Sequence, residues 1–273
     1  MDLFHDRPHV EDIRAMKAQG QQLSMLYVAT PEEAAAAEAA GIHILSIEGR
    51  RWTPEMREAA GCCFVQVGLP LGPLGDPGKR LVTAEDYLRE AFDLAAIGAD
   101  CFYCVASYDI QKALCDNHLA VVGHIGLVPS YITWTGWRAV GKTTEEALTL
   151  WAHAKRMEEI GIFGAELEVV PDRIAKFLSE HTSLMLFGMG AGPYADAQYL
   201  FTEDVCGYGV NRKPRHAKSY GDLGPELDRI QQARIAAFRA FREDVDNKGY
   251  PALEHTVPIE DEAFDAFVAA ALD

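Results

Sequence analysis

Positive charge is scarce in this sequence. Lys and Arg number 25 against 41 Asp and Glu, a formal net charge of −16 with histidine neutral. That balance excludes a nucleic-acid surface that tracks phosphates, and it excludes docking on an anionic membrane. A small anionic ligand is still permitted, because it needs only a local cationic pocket. Paired cysteine motifs are also missing. The six cysteines are Cys62, Cys63, Cys101, Cys104, Cys115 and Cys206. Cys101 and Cys104 have the spacing of half a zinc site or a redox pair, but no second such pair follows, and they fall in an apolar run. Buried free thiols are expected. The longest uncharged run, 117–137, is interrupted by Pro129 and by several Gly and His residues, so no membrane span is expected. The N-terminus is charged from its second residue and shows no signal peptide; a reducing cytoplasm is the expected compartment. Neither GxGxxG nor GxxxxGK[ST] occurs, which removes support for a nucleotide-binding open sheet.

What is present is a regular alternation. Apolar runs at 24–29, 42–47, 62–67, 100–106, 119–122, 163–168 and 184–189 read as strands, with a weaker eighth near 199–201. Helical patterns lie between several of them, at 31–40, 55–60, 83–97 and 143–160. A long amphipathic helix is expected over 222–246, with Leu227, Ile230, Ala233, Ala237 and Phe241 on one face. The chain has 273 residues, 49% of them hydrophobic, and no low-complexity linker. Repeated βα units at this length predict an α/β fold, a (β/α)8 TIM barrel of roughly 250 residues with a C-terminal helical extension. The expected organisation is one domain over 1–273, with 222–273 as a C-terminal helical region. An open doubly wound sheet is the alternative.

In a barrel, chemistry collects where strands end. Glu168 ends one apolar strand. Partial desolvation there would raise its pKa and suit a general acid or base, while a helix cap or structural ion pair is the bland alternative. Glu166 lies two residues earlier and faces the same side, one layer deeper. Two like carboxylates could raise one pKa or attract a cation, but pairing of Glu166 with a neighbouring Arg or His is the favoured reading. His124 sits between Gly123 and Gly126 at another strand end, where close ligand approach is possible. Arg50 and Arg51 follow a strand directly and could fork a carboxylate or simply be solvated. The glycine-rich turn 188–192 is weak support for a phosphate site.

Several stretches together resemble one family. These are Gly123-His-Ile-Gly-Leu-Val-Pro129, Gly141-Lys-Thr-Thr-Glu-Glu-Ala147, Leu167-Glu-Val-Val-Pro171, and Gly188-Met-Gly-Ala-Gly192 with Asp196-Ala-Gln198. With Val10–Lys17 and the stretch 219–251, they are collinear with ketopantoate hydroxymethyltransferase. The resemblance implies a barrel related to those of phosphoenolpyruvate mutase and isocitrate lyase, and a homo-oligomer. It implies magnesium-assisted enolisation of 2-oxoisovalerate and addition of a one-carbon unit from methylenetetrahydrofolate. The family's base falls on Glu168 and its histidine on His124.

The same alignment shows departures. The family's GDS motif reads Glu48-Gly-Arg50, which places the first metal carboxylate on Gly49. The next aspartate falls on Gly68. The KLEGG motif reads Tyr103-Cys-Val-Ala-Ser107, with Tyr103 for the lysine and Val105 for a carboxylate. One carboxylate is a poor start for a hard divalent cation, so no metal site is expected; Glu48, by a one-residue slip, and Glu166 are fallback ligands. The expected activity is making or breaking a carbon–carbon bond in a 2-oxo acid or related carbonyl compound, through an enol and without metal. Glu168 would move the proton and His124 would orient the substrate. Arg50, Tyr103 and Ser107 would bind it. No cofactor is expected, with magnesium and methylenetetrahydrofolate needed only if the parent activity is retained. The expected partner is a small-molecule substrate, with neither nucleic acid nor membrane. True 3-methyl-2-oxobutanoate hydroxymethyltransferase activity is one alternative, and a non-catalytic paralogue binding a small acid is the other.

Overall fold

Eight parallel strands close on themselves in chain order in the computed structural model, which describes residues 7–70, 80–209 and 213–272. The strands are β1 (Leu23–Tyr27), β2 (Ile44–Glu48), β3 (Phe64–Gly68), β4 (Cys101–Tyr103), β5 (Val121–Gly126), β6 (Gly164–Glu168), β7 (Met185–Met189) and β8 (Ala197–Phe201). The weak eighth strand is real. It pairs with β7 through Phe187–Ala197 and with β1 from Leu23–Ala197 to Tyr27–Phe201, and so closes the (β/α)8 barrel. Helix α1 (Val10–Ala18) precedes β1. Helices α2 (Pro31–Ala39), α3 (Pro54–Ala59), α4 (Ala84–Ile97), α5 (Tyr108–Asp116), α6 (Ile132–Thr135), α7 (Thr144–Glu159), α8 (Asp172–His181) and α9 (Thr202–Cys206) return along the outside.

Local chemistry sets the helix starts. Thr30, Thr53, Thr83 and Thr143 each accept a backbone N–H from the first turn with the side-chain hydroxyl, and Pro31 and Pro54 follow two of them. Thr83 and Asp86 cap each other reciprocally. The strands then sort side chains by parity. Outward residues such as Leu45, Ile47, Val65, Val67, Ile125, Leu167 and Leu186 join the helices in the larger core. Inward residues Leu23, Ile44, Phe64, Cys101, Val122, Met185 and Ala197 fill the lumen, with Ile13 of α1 packed into the same cluster. Asp100 lies 3.4 Å from Arg7 and 3.5 Å from Arg57 of α3, all three largely buried.

The ends of β4 and β5 differ most from the sequence reading. Strand β4 stops at Tyr103, and Ser107 caps α5, a helix the pattern did not reveal. Strand β5 continues past 122 to Gly126, whose φ of +101° ends it. His124 is therefore inside the lumen, not at the strand tip. Cys101 and Cys104 are buried and free, as expected, and burial pushes the Cys104 thiol up to about 12. The chain divides into two compact units, Met1–Gly221 and Asp222–Asp273. The second contains α10 (Gly224–Asp246) and α11 (Asp261–Leu272), and none of its described residues is buried. No helix among the described residues is long and apolar enough to cross a membrane.

Candidate active site

The lumen is polar near the strand ends where its lower part is apolar. Strand parity turns Ser46, Gln66, Tyr103, His124, Glu166 and Tyr199 into the lumen, and Tyr27, Glu48, Gly68, Glu168, Met189 and Phe201 face the same way. All of these except Gln66 line one cavity of about 740 Å³ at the C-terminal mouth.

Hydrogen bonds connect the first six. Gln66 Nε2 donates to Glu166 Oε1 at 2.7 Å and to Ser46 Oγ at 3.2 Å. Ser46 also hydrogen-bonds Tyr199. Tyr103 Oη and His124 Nδ1 share a hydrogen bond of 2.8 Å, with the tautomer deciding which one donates. His124 joins the two carboxylates. Its Nδ1 is 3.6 Å from Glu166 Oε2 and its Nε2 is 3.3 Å from Glu168 Oε2. The second approach is close enough for charge attraction but does not form a hydrogen bond, so Nε2 is buried without a hydrogen-bonding partner among the described residues.

Burial decides the protonation of these groups. Glu166 is pushed up to about 7 by desolvation, with Glu168 adding to the rise and His124 and Gln66 opposing it. Glu166 therefore holds its proton below neutral pH. Desolvation, reinforced by Glu166, raises the Tyr103 and Tyr199 phenols well above their usual range, so both remain O–H donors. Backbone strain marks the exit from β6. Val169, directly after Glu168, has φ of +51°, rare for a β-branched residue. Its N–H donates to Met189 O at 2.8 Å, and its carbonyl accepts from Val140 N at 3.2 Å, which fixes where Glu168 leaves the strand.

The structure brings Glu168, His124 and Tyr103 together on the cavity floor. Arg50 is on the cavity lip, more than half exposed, and its Nε donates to Glu48 Oε2 at 2.6 Å. Arg51 Nε reaches the same oxygen at 3.1 Å. Burial raises the Glu48 pKa, but these two guanidiniums overcome that effect and hold it below the usual carboxylate range. Ser107 is elsewhere: its hydroxyl accepts Ile110 N–H as the cap of α5, and it does not line the cavity. Glu166 faces the lumen and lies beside His124. Ser46, Gln66, Tyr199, Tyr27 and Phe201 were not singled out from the sequence. Their signal was the alternation itself, as in Ser46-Ile-Glu48 and Gln66-Val-Gly68, which points polar residues inward.

Magnesium can be tested against these residues. A Cβ on Gly49 would lie 2.8 Å from the Gly68 carbonyl oxygen, so no carboxylate fits there without a backbone shift. Glu48 is engaged by two guanidiniums, Glu166 by Gln66, and Glu168 faces His124. Among the described residues no group of three or more His, Cys, Asp or Glu side chains could hold a metal ion. The donor set does not fit a divalent cation.

Comparison with known proteins agrees with the resemblance read from the motifs. Residues 56–253 match the family model described as ketopantoate hydroxymethyltransferase. The 3-methyl-2-oxobutanoate hydroxymethyltransferase of Pyrococcus abyssi is 32% identical over 188 residues, 67% of this chain and 64% of the relative. The enzyme of the same description from Pyrococcus furiosus is 33% identical over 65% of this chain and 62% of its own length. The chain thus matches a little under two thirds of these relatives' length. Among solved structures, "a putative phosphonomutase from Burkholderia cenocepacia J2315" shares the fold, with a TM-score of 0.52, 12% identity, and coverage of 85% of this chain and 100% of that one. With the family model spanning most of the chain, this protein belongs to the ketopantoate hydroxymethyltransferase family.

Proposed function

We propose that this chain makes or breaks a carbon–carbon bond beside a carbonyl group, through an enol intermediate and without a divalent cation. The observation that carries the reading is the cavity floor. A carboxylate, Glu168, lies 3.3 Å from the inward-facing nitrogen of His124, and His124 is backed by the Tyr103 phenol. In the enolisation step, Glu168 takes the proton from the carbon next to the carbonyl. The C–H electron pair becomes the C=C bond and charge moves to the carbonyl oxygen. His124 stabilises that oxygen as a hydrogen-bond donor from Nε2, with the Tyr103 hydroxyl donating to Nδ1 and so fixing that tautomer, in the role a cation would otherwise fill. The enol carbon then attacks an aldehyde carbonyl carbon, whose oxygen takes the electron pair and the proton that Glu168 carries, while the first carbonyl re-forms. In reverse, that hydroxyl returns its proton to Glu168, the carbon–carbon bond breaks and its electron pair re-forms the enolate. Gln66 and Glu166 hold His124 in place, and Arg50 stands at the lip where a substrate carboxylate would enter.

Membership of the family supports a second reading, the transfer of a one-carbon unit from methylenetetrahydrofolate to 3-methyl-2-oxobutanoate. One experiment addresses both. The protein is incubated in D2O with 3-methyl-2-oxobutanoate and other 2-oxo acids, in EDTA or in magnesium, and proton NMR follows loss of the C–H signal next to the carbonyl. Catalysed exchange that is equal in both buffers and abolished by Glu168→Gln is expected. Exchange only in magnesium would favour the second reading with a rearranged site. No exchange of any oxo acid would sink the enol mechanism.

A further inference from the structure

We infer that the substrate carries an aromatic or comparably bulky apolar group, seated on a shelf formed by Tyr27, Tyr199 and Phe201. The inference rests on the reading proposed above and names the substrate class of the same cavity. Size is the first argument. A five-carbon oxo acid occupies about 240 Å³ at ~30 Å³ per heavy atom, while the cavity measures about 740 Å³, a volume in the range that takes drug-sized ligands. Some two thirds of the space lies beyond the reach of a small oxo acid.

The second argument is the wall of that space. The Phe201 ring lies 5.0 Å from Tyr27 and 5.5 Å from Tyr199, the latter pair nearly parallel at 11°. Tyr199 sits beside the Ser46 hydroxyl in the lumen, and Tyr27 and Phe201 lie nearer the strand ends. The shelf therefore rises from the lumen towards the mouth. Trp137, 78% exposed, borders the same cavity from the loop after β5. An exposed tryptophan beside an apolar hollow is the type of residue that gains most from covering a ligand.

Charge is the third argument. Glu48, Glu166, Glu168, Glu203 and Asp204 all line the cavity, and Arg50 is already bonded to Glu48. A substrate carboxylate therefore gains little beyond a contact with Arg50 that it must share with Glu48, and most of the affinity has to come from apolar contact.

Calorimetric titration in EDTA tests this with 3-methyl-2-oxobutanoate, phenylpyruvate, the neutral 1-phenylpropan-2-one and tetrahydrofolate as probes. Phenylpyruvate should bind at least about tenfold tighter than 3-methyl-2-oxobutanoate, and the neutral ketone should also exceed the small acid. Phe201→Ala, or Phe201→Leu if the alanine variant does not fold, should bring the ratio of the two acids close to one. Equal or weaker binding of both phenyl compounds overturns the inference and leaves the enol mechanism intact. Tetrahydrofolate that competes with phenylpyruvate and binds tighter would give the shelf to a second substrate, and also overturns it. Deuterium exchange separates the other failure: if phenylpyruvate binds tightly but no probe exchanges, the enol reading fails and the shelf loses its assignment to a reacting substrate.

Discussion

Glu166→Gln should stabilise the protein in a pH-dependent way, and the dependence has a calculable size. The carboxyl is buried in the lumen, and desolvation moves its pKa from 4.5 to about 7. Between those values the unfolded chain holds Glu166 ionised while the folded chain holds it protonated. Folding then takes up a proton, so stability falls as pH rises through the window and levels off above about 7. A rise of about 2.5 units at ~1.36 kcal/mol each comes to about 3 kcal/mol. Glutamine has the same shape, carries no charge, and can accept the Gln66 N–H through its amide oxygen. At pH 5 the variant and the parent should unfold at similar denaturant concentrations. By pH 8 the variant should be more stable by up to about 3 kcal/mol. Urea titrations of both proteins at half-unit steps from pH 5 to 8.5 measure the difference, in which the other titrating groups largely cancel. A difference that is flat across this range would show that the lumen does not perturb Glu166. A difference of opposite sign would show that His124 outweighs burial, leaving Glu166 charged throughout.

Other outcomes follow from individual contacts. Tyr103→Phe removes the phenol that backs His124 but keeps the ring, so deuterium exchange should slow by about 10²-fold with little change in thermal stability; equal rates would take Tyr103 out of the chemistry. Gly68→Asp should be tolerated, because a Cβ there meets nothing nearer than 3.7 Å, whereas Gly49→Asp should lower the melting temperature. Neither variant alone should gain stabilisation from added magnesium in a thermal scan, and a gain with Gly68→Asp would restore the case for an inherited metal position. Asp100→Ala would leave the buried Arg57 guanidinium without its carboxylate and should cost about 3–5 kcal/mol in denaturant titration.

The barrel was largely legible from pattern alone because parallel strands buried on both sides read as apolar runs. The elements that escaped were short or began without punctuation. Helix α5 starts five residues after β4 ends, and α9 has five residues directly after β8. At the site, strand-end logic located Glu168 and His124, although His124 lies deeper than its glycine neighbours suggested. Ser107 shows how local chemistry competes with function. A serine just before a helix is used by the first turn, and its hydroxyl is then committed to Ile110. Arg50 shows the same competition between sequence neighbours: the guanidinium nearest to the missing acids is also nearest to Glu48, and bonds it.

The residues that sequence reasoning passed over carry the stronger argument about the site. Single polar residues inside apolar runs, such as Ser46 and Gln66, look incidental when each strand is read alone. Closing the sheet turns them into the same lumen as Glu166, His124, Tyr103 and Tyr199, and hydrogen bonds there join strands separated by up to 100 residues in sequence. A buried polar group without a partner costs about 1–3 kcal/mol, so a lumen that had merely lost its acids would be expected to fill with apolar side chains. This lumen instead holds six polar side chains that contact one another near its mouth. A network that fixes the imidazole and keeps two phenols protonated supplies oriented donors, and oriented donors at a developing enolate do the electrostatic part of what a cation does. Among the described residues His124 Nε2 is buried without a hydrogen-bonding partner, and it is turned towards Glu168 on the cavity floor, where the proposed substrate oxygen would complete it.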